Sequence, residues 1–465
     1  MKVVVISTQR EVFAMSLQRK AYLKMLEWKD YSNGSTALLL NGARRVGKSF
    51  LAETFAKREY KSYILIDFSS LHPEVMLIFE KHGHDIELFL TSLSLLFETT
   101  LYKRNSVIIF DEVQLYPKAR QMIKHLVADG RYDYIETGSL LSLKQNVKDI
   151  LIPSEEEELE VFPLDFEEFM SALGNDDLVS HIKKCFDERV PLGQVLHGKA
   201  IRDFRTYMLV GGMPQAVVEF SASKDFERTD RVKRSILKLY RADIGKYAGV
   251  YKSKVSAIFD NIPGQLAKRE KKYKLSSIEK HARLRSYEDA FMWLSDGMIV
   301  NPCFNATDPS FALGLSLEHT TQKIYMADTG LLVTHAFWHG EFINNEIYKA
   351  LLLDKLNINE GMITENAVAQ ALRASGQRLY FYSRSSPNDR KNNMEIDFLI
   401  RYKNKISPIE VKSSAYKKHS SLDKFKIKFD RKLGESFILY QKDVMIQNGV
   451  THLPLYMAMC LKDIK

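Results

Sequence analysis

One short loop carries the most specific chemical pattern in the sequence. In "GARRVGKS", two glycines, a lysine and a serine satisfy the spacing G-x-x-x-x-G-K-[ST]. In loops of this kind, backbone N–H groups surround phosphate oxygens, the lysine neutralises them and the hydroxyl binds Mg²⁺. The apolar run "TALLL" precedes the loop and a helical pattern follows it, which is the context that the motif requires. We therefore expect nucleotide phosphates to be bound by Gly42, Ala43, Arg44, Arg45, Val46, Gly47, Lys48, Ser49 and Phe50, with Ser49 as a magnesium ligand.

A second pattern, "SVIIFDEVQ", places two acidic residues at the end of an apolar strand. Asp111 is expected to bind the same Mg²⁺, and Glu112 to act as a general base towards the water that attacks the γ-phosphate. Farther along, "ETGSLLS" brings Thr137 and Ser139 to another strand end, where a hydroxyl can contact the γ-phosphate or hold the water. We therefore predict hydrolysis, with Lys48, Glu112 and Ser139 as catalytic residues.

Near the other end of the sequence, a second group of charged residues is typical of metal-dependent phosphodiester cleavage. In "ISPIEVKSS", Glu410 and Lys412 are two residues apart and project from the same face of a strand. Asp397 lies on a preceding strand, "MEIDFLI", and Glu365 lies on a helix before that. The three carboxylates are suitable Mg²⁺ ligands, and Lys412 can orient a water and favour its ionisation. The alternative interpretation is that Glu410 and Lys412 belong to a surface triplet, E-V-K, without catalytic function.

The positive charge of the sequence is concentrated around this second group. Of the formal net charge of +9, the segment from Arg401 to Lys432 contributes +8, because it holds eleven Lys/Arg and three Asp/Glu residues. Such a local excess suits a polyanion, so DNA or RNA is a candidate partner. A solvated lysine-rich surface is the other interpretation.

The 465-residue chain is long enough for several domains. Short apolar runs that alternate with helical patterns predict an α/β fold with a parallel sheet near the start of the chain. An acidic run, "SEEEELE", then precedes helical segments, and a helix-rich stretch ending in β-rich sequence has the outline of a winged helix or of a structural connector. We predict a P-loop core in residues 1–150, a helical lid region in 151–250, a winged-helix-like region in 251–330 and an α/β domain in 331–465.

The sequence gives no sign of membrane insertion or of export. Its apolar runs are far shorter than the roughly 20 residues that cross a bilayer, and "MKVVVISTQR" does not fit a signal peptide. Three widely separated cysteines, Cys185, Cys303 and Cys460, are interpreted as packing residues in a reducing compartment. We expect no membrane partner and a cytoplasmic location.

Several motifs follow one another as in a known group of proteins. The phosphate loop, "IIFDEVQ", "TGSLLS", "VFPLDFEEF", "LVGGMP" and "YMADTGLL" occur in this order. The sequence thereby resembles prokaryotic AAA-type P-loop ATPases that carry a C-terminal domain of unknown function, over nearly its whole length. The resemblance implies ATP and Mg²⁺ as cofactors, bound by Lys48, Ser49, Asp111 and Glu112.

The C-terminal residues resemble a second known pattern. Asp397, Glu410 and Lys412 match the D…(D/E)-x-K pattern of the restriction-endonuclease-like fold, and Glu365 matches its helical acid. This resemblance implies a nuclease-like module in the last part of the chain. Whether the module cleaves is left open.

We expect a Mg-dependent, ATP-hydrolysing AAA-type protein whose C-terminal module binds or acts on nucleic acid. The main alternative is a nucleotide-controlled switch or scaffold for protein partners, with an inactive nuclease-like module. The third alternative is a metal-dependent nuclease in which ATP has only a structural role. A homo-oligomer is a further expectation, because such ATPases often take an arginine from a neighbouring subunit. No such arginine is identifiable in the sequence.

Overall fold

The computed structural model describes residues 18–138, 154–268, 272–280, 282–310, 312–338, 344–352, 360–384, 393–413 and 420–462. The predicted catalytic residue Ser139 lies outside these ranges. By its internal contacts the chain divides into a first unit, Gln18–Phe162, and a second unit that includes Pro163–Lys465.

The first unit is built on a five-stranded parallel sheet with the strand order β2-β3-β4-β1-β5. This sheet confirms the predicted α/β fold of the P-loop core. The helices and strands are α1 (Lys20–Ser32), β1 (Ala37–Asn41), α2 (Lys48–Glu59), β2 (Ser62–Asp67), α3 (Pro73–His82), α4 (Ile86–Leu96), β3 (Ser106–Asp111), α5 (Pro117–Asp129), β4 (Asp133–Gly138) and β5 (Glu156–Glu160).

Apolar side chains cover both faces of this sheet. Leu38 and Leu40 of β1 lie in one core with Phe55 of α2, whereas Leu39 lies in the opposite core with Phe110 of β3. Successive side chains of a strand point to opposite faces, so a strand buried on both faces reads as a continuous apolar run. This is why the strands could be predicted from the sequence.

The acidic run that was expected to introduce the helical lid region forms β5, at one edge of the parallel sheet. Its carboxylates have partners within the first unit. Arg120 Nη2 lies 2.7 Å from Glu156 Oε1, and Asn41 Nδ2 donates a hydrogen bond of 2.7 Å to Glu158 Oε1. The acidic run is therefore part of the parallel sheet. The predicted boundary at residue 150 falls among residues that the structure does not describe.

The second unit contains a mixed eight-stranded sheet with the strand order β12-β13-β11-β10-β9-β8-β6-β7. None of the helices described in the chain is both long and apolar enough to cross a membrane. The helices and strands are α6 (Phe166–Ala172), α7 (Asp176–Glu188), α8 (Gln194–Val210), α9 (Pro214–Ser223), α10 (Phe226–Tyr247), α11 (Lys252–Ala267), α12 (Glu288–Asp296), β6 (Val300–Ala306), β7 (Leu317–Met326), α13 (Thr329–Ala336), α14 (Asn345–Leu352), α15 (Glu360–Ala374), β8 (Tyr380–Arg384), β9 (Met394–Tyr402), β10 (Lys405–Val411), α16 (Ser420–Phe429), β11 (Phe437–Tyr440), β12 (Met445–Gln447) and β13 (Val450–Pro454).

The hairpin expected as the wing of a winged helix consists of β6 and β7, which pair in antiparallel fashion. β6 also pairs in parallel with β8, with Phe304 opposite Tyr380. The predicted regions 251–330 and 331–465 consequently share one sheet, and β7 lies close to the residues of the predicted metal site.

A buried hydrogen-bond network joins two of the quoted motifs in the second unit. The Asp328 carboxylate of "YMADTGLL" accepts hydrogen bonds from Gly212 N of "LVGGMP" at 2.5 Å and from Leu331 N at 2.8 Å. On α15, the Asn366 side chain accepts a hydrogen bond from Met326 N and donates one to Met326 O. Gln370 of the same helix accepts a hydrogen bond from Thr329 N. Because buried polar groups must be paired, these motifs have a structural role.

Replacing Gly212 with alanine is expected to destabilise the second unit. A Cβ atom at this position would lie 2.0 Å from the carbonyl oxygen of Leu164 and 2.8 Å from its nitrogen. Backbone atoms cannot yield as a flexible side chain does, so we expect a loss of about 1–3 kcal/mol in the free energy of unfolding, measured by urea denaturation.

Gly198→Ala in α8 is the matched control. The nearest atom to a Cβ at this position is Arg202 Nη1, 3.7 Å away, so its stability should be kept or slightly increased. A Gly212→Ala protein as stable as the wild type would contradict the close packing described here.

Candidate functional site

The loop that the sequence predicts to bind phosphates connects the carboxyl end of β1 to α2. Gly47 is the last residue before the helix, and its φ of 96° is a left-handed conformation that glycine adopts readily. The first N–H groups of a helix have no acceptor within it, which suits this end of α2 to phosphate oxygens.

Lys48 is buried beneath this loop. Its Nζ donates hydrogen bonds to the carbonyl oxygens of Gly42 at 2.8 Å and Ala43 at 3.2 Å. Burial lowers the pKa of Lys48 to about 8, although the carboxylates of Glu112 and Asp111 act in the opposite direction. The ammonium group thus lies among neutral acceptors of its own loop, close to both predicted carboxylates.

The remaining predicted residues of the loop differ in exposure. Val46 is buried, and its carbonyl oxygen accepts a hydrogen bond of 3.3 Å from Arg19, a residue that the sequence did not single out. Arg19 also donates to the carbonyl of Phe162 at 2.6 Å, so it fastens the loop to the chain that follows β5. The exposed residues of the loop and of the helix start are Arg44, Arg45 and Phe50.

Asp111 and Thr137 meet at the carboxyl ends of two neighbouring parallel strands. The Thr137 hydroxyl donates a hydrogen bond to Asp111 Oδ1 and accepts one of 3.2 Å from the backbone N–H of Glu112. Burial raises the pKa of Asp111, whereas hydrogen bonds from Ser49 and Thr137 lower it. The hydroxyl of Ser49 and the carboxylate of Asp111 are therefore adjacent, and both are oxygen ligands of the kind that Mg²⁺ prefers.

Glu112 has an unusual backbone conformation at the end of β3. Its φ of 55° is left-handed, which is uncommon for a residue with a side chain. The side-chain amide of Gln114 donates a hydrogen bond to Glu112 Oε2. The sequence analysis missed Gln114, although an amide two residues after the acidic pair in "DEVQ" was a visible signal.

The predicted C-terminal metal ligands have partners within the second unit. Glu410 is 3% exposed, and its Oε1 accepts a hydrogen bond of 3.0 Å from Leu422 N in the first turn of α16. Its Oε2 lies 2.7 Å from Lys412 Nζ. Asp397 Oδ2 accepts a hydrogen bond of 2.8 Å from Val411 N.

A buried lysine that the sequence did not indicate lies among the other carboxylates. Lys323 Nζ is 3.1 Å from Glu365 Oε1 and 3.2 Å from Glu395 Oε1, and Tyr325 also donates a hydrogen bond to Glu365. Burial lowers the pKa of Lys323, but the carboxylates of Glu365, Asp397 and Glu395 outweigh this effect and raise it above its ordinary value. Burial and Glu365 raise the pKa of Asp397, whereas Lys323 opposes the rise.

Within the described ranges, no three His, Cys, Asp or Glu side chains are arranged so that they could hold a metal ion. Glu365 and Glu410 nevertheless lie near Asp397, since the charges of both act on it. The nuclease interpretation of these residues remains a prediction.

Several basic residues of the segment 401–432 lie in the described ranges. Four lysines have partners: Lys412 with Glu410, Lys426 with a backbone carbonyl, Lys428 with the Tyr382 hydroxyl and Lys432 with Asp308. Three further basic side chains are exposed to solvent, namely Lys403, Lys405 and Arg431.

Comparison with protein families assigns the first unit. Residues 34–170 match the model of a family described as an AAA domain, so the chain contains an AAA-type P-loop domain, as the resemblance implied. Residues 201–341 and 360–457 match two families that are each described as a domain of unknown function, DUF8612 and DUF4143. No curated protein matches the chain.

The solved structures that match this chain share little of its sequence. The RuvB Holliday junction branch migration motor of Thermotoga maritima is 12% identical, with a TM-score of 0.29, and the match covers 63% of this chain and 90% of that one. The Drosophila ORC bound to DNA is 12% identical, with a TM-score of 0.29 and coverages of 75% and 100%. Cdc6p of Pyrobaculum aerophilum is 11% identical, with a TM-score of 0.26 and coverages of 75% and 99%. Similarity this low does not indicate a shared function.

The affinity of the loop for a nucleoside triphosphate is expected to fall as the pH rises through the Lys48 pKa of about 8. Only the ammonium form of Lys48 neutralises phosphate. Above this pKa most of the lysine is uncharged, so it must be protonated when the nucleotide binds. Because one pKa unit corresponds to a factor of ten, we expect a roughly tenfold loss of affinity between about pH 7.5 and about pH 9. Titration with a fluorescent ATP analogue at each pH measures this affinity.

Lys48→Arg is the control for this pH dependence, because its guanidinium stays charged over the whole range. Its affinity can be lower, but it should change little with pH. If wild type and Lys48→Arg lost affinity to the same extent, ionisation of Lys48 would not be the cause.

Proposed function

We propose that this chain is an AAA-type ATPase that hydrolyses ATP with Mg²⁺ in its first unit and binds nucleic acid through its second unit. The observation that carries the ATPase proposal is the convergence of Lys48, Ser49, Asp111 and Glu112 at the carboxyl ends of β1 and β3. The family match over residues 34–170 supports ATP as the nucleotide.

Binding depends on an exchange of partners by Lys48. Its ammonium group leaves the carbonyl oxygens of Gly42 and Ala43 and neutralises the β- and γ-phosphate oxygens. Hydrogen bonds between charged groups are stronger than those to neutral carbonyls, so this exchange is favourable. Ser49 and Asp111 are the residues that would hold Mg²⁺, which neutralises negative charge on the transferred phosphoryl group.

Hydrolysis depends on Glu112. Its carboxylate accepts a proton from the attacking water, and the Gln114 amide fixes the orientation of that carboxylate. Thr137 acts one step away from the reacting atoms, because its hydroxyl holds the Asp111 carboxylate. This arrangement separates binding by Lys48 from proton transfer by Glu112.

Two substitutions test this division of roles. Lys48→Ala should abolish tight ATP binding and hydrolysis, because the phosphate charge loses its partner. Glu112→Gln should keep ATP affinity while lowering the turnover rate by about 10²–10⁴-fold, the usual contribution of a general base. Steady-state phosphate release and equilibrium ATP binding are the two measurements.

Glu98→Gln is the matched control for the second substitution. Glu98 lies in the same unit, is exposed and has a left-handed φ of 48° like that of Glu112. The Glu98→Gln protein should hydrolyse ATP at the wild-type rate. Equal hydrolysis by wild type and Glu112→Gln would remove Glu112 from the role of base.

The proposal of nucleic-acid binding rests on an exposed basic edge, which we define as Lys403, Lys405 and Arg431. Lys403 lies in the turn between β9 and β10, and Lys405 is the first residue of β10. Gly434 N donates a hydrogen bond of 2.9 Å to Ile406 O, which brings the segment containing Arg431 beside this turn. Clustered basic side chains that point into solvent suit the phosphates of a nucleic acid.

The affinity for DNA should fall steeply as the salt concentration rises. Replacing all three residues of the basic edge by glutamine should weaken binding at every sequence and reduce the slope of log K against log salt by about one per lost phosphate contact. The matched control replaces three exposed lysines of the first unit, Lys24, Lys81 and Lys103, by glutamine. Fluorescence anisotropy with single- and double-stranded DNA measures both proteins.

Steady-state ATP hydrolysis with and without DNA then connects the two parts of the proposal. Stimulation by DNA that is lost in the basic-edge variant supports one nucleic-acid-dependent ATPase. If neither binding nor stimulation occurs, the alternative of a nucleotide-controlled switch for protein partners is favoured.

A further inference from the structure

The C-terminal carboxylates lie in an environment that does not suit a divalent cation. We define the carboxylate cluster as Glu365, Glu395 and Asp397. A hard divalent ion needs several carboxylate oxygens that face a common point and have no competing cation between them. In this cluster, the first requirement is met in part, since Glu365 and Glu395 both direct an oxygen to the same place.

The second requirement is not met, because Lys323 already occupies that place. Its side chain is 8% exposed, and its Nζ lies 3.1 Å from the Glu365 carboxylate and 3.2 Å from the Glu395 carboxylate. The stem of Lys323 comes from β7, and its Nζ lies 5.3 Å from the centre of the Phe381 ring. A metal ion bound here would meet a buried charge of the same sign at close range.

Glu410, the remaining predicted acid, also has partners. One oxygen of Glu410 accepts a hydrogen bond from a backbone N–H in the first turn of α16, and the other lies 2.7 Å from Lys412. Carboxylates stabilise helix N-termini in this way, so Glu410 has a structural task. A metal ion bound by Glu410 and the cluster would have to compete with both of these partners.

We propose that the Lys323 ammonium group occupies the position that a metal ion would take in the carboxylate cluster, so that the second unit binds no divalent cation there and performs no metal-dependent phosphodiester cleavage. The nuclease-like residues are then a scaffold held together by an internal cation. This inference does not depend on ATP hydrolysis or on DNA binding, either of which can fail without affecting it.

Manganese binding to the full chain tests this proposal directly. All proteins carry Asp111→Asn, which removes a ligand of the nucleotide-associated metal, and no nucleotide is added. With Lys323 present, electron paramagnetic resonance titration should find no Mn²⁺ that depends on Asp397. Lys323→Met, which keeps an unbranched apolar stem, should gain one bound Mn²⁺, and adding Asp397→Asn should abolish it.

Thermal stability supplies the second measurement. Lys323→Met should have a lower melting temperature than its parent in the absence of metal, because the carboxylates lose their counter-charge, and Mn²⁺ should restore it. The double variant Lys323→Met/Glu365→Gln is the matched control. Removal of one negative charge should recover part of the stability without Mn²⁺ and should abolish the response to the ion.

Three results would overturn the proposal. The first is a Mn²⁺ that binds the protein with Lys323 intact and is lost on Asp397→Asn. The second is a folded Lys323→Met protein that binds no additional Mn²⁺. The third is Mg²⁺- or Mn²⁺-dependent DNA cleavage by the wild type that Asp397→Asn abolishes. If Lys323→Met does not fold, the first and third experiments decide the question, since both use proteins that keep Lys323.

Discussion

The need to give every buried ammonium group a partner determines the chemistry of both units. Lys48, Lys233 and Lys323 are all buried, but their partners differ. Lys48 and Lys233 each contact backbone carbonyl oxygens, and burial lowers the pKa of both to about 8. Lys323 contacts carboxylates, which raise its pKa despite burial. Neutral partners can be exchanged for a charged ligand, whereas ionised partners hold their lysine in place.

Lys233 shows what this constraint does where no ligand is involved. Its Nζ donates to the carbonyl oxygen of Leu209 at 2.6 Å and lies 2.9 Å from the Tyr348 hydroxyl, so it ties α10 to α8 and α14. The neighbouring Asp328 bridges "LVGGMP" and "YMADTGLL" by accepting backbone N–H groups from both. Motifs that help to identify a family can thus owe their residue types to buried hydrogen bonds, and a quoted motif is not by itself a site.

The sequence predicted those parts of the molecule that depend on local pattern. Strands β1 and β3 of the parallel sheet are continuous apolar runs, and the phosphate loop has a fixed spacing, so both could be recognised without a structure. β5 was missed because its acidic residues read as a solvated run, whereas Arg120 on α5 pairs with Glu156 across the sheet edge. Lys323 was missed because it lies far from Glu365 and Asp397 in sequence. The contact of α15 with β7 brings Glu365 to it, and the pairing of β7, β6, β8 and β9 brings Asp397.

The two groups of carboxylates illustrate why residue type and spacing do not determine metal binding. Asp111 and Glu112 face a lysine whose hydrogen bonds go to neutral carbonyls, and in the proposed function that lysine turns to the phosphates of the nucleotide. Their negative charge then remains available to a cation. Glu365 and Asp397 face a lysine that has no comparable alternative partner among its described contacts, so that lysine stays in the place of an exchangeable cation. The same residue types thus give a site for an exchangeable cation in one unit and a permanent internal ion pair in the other.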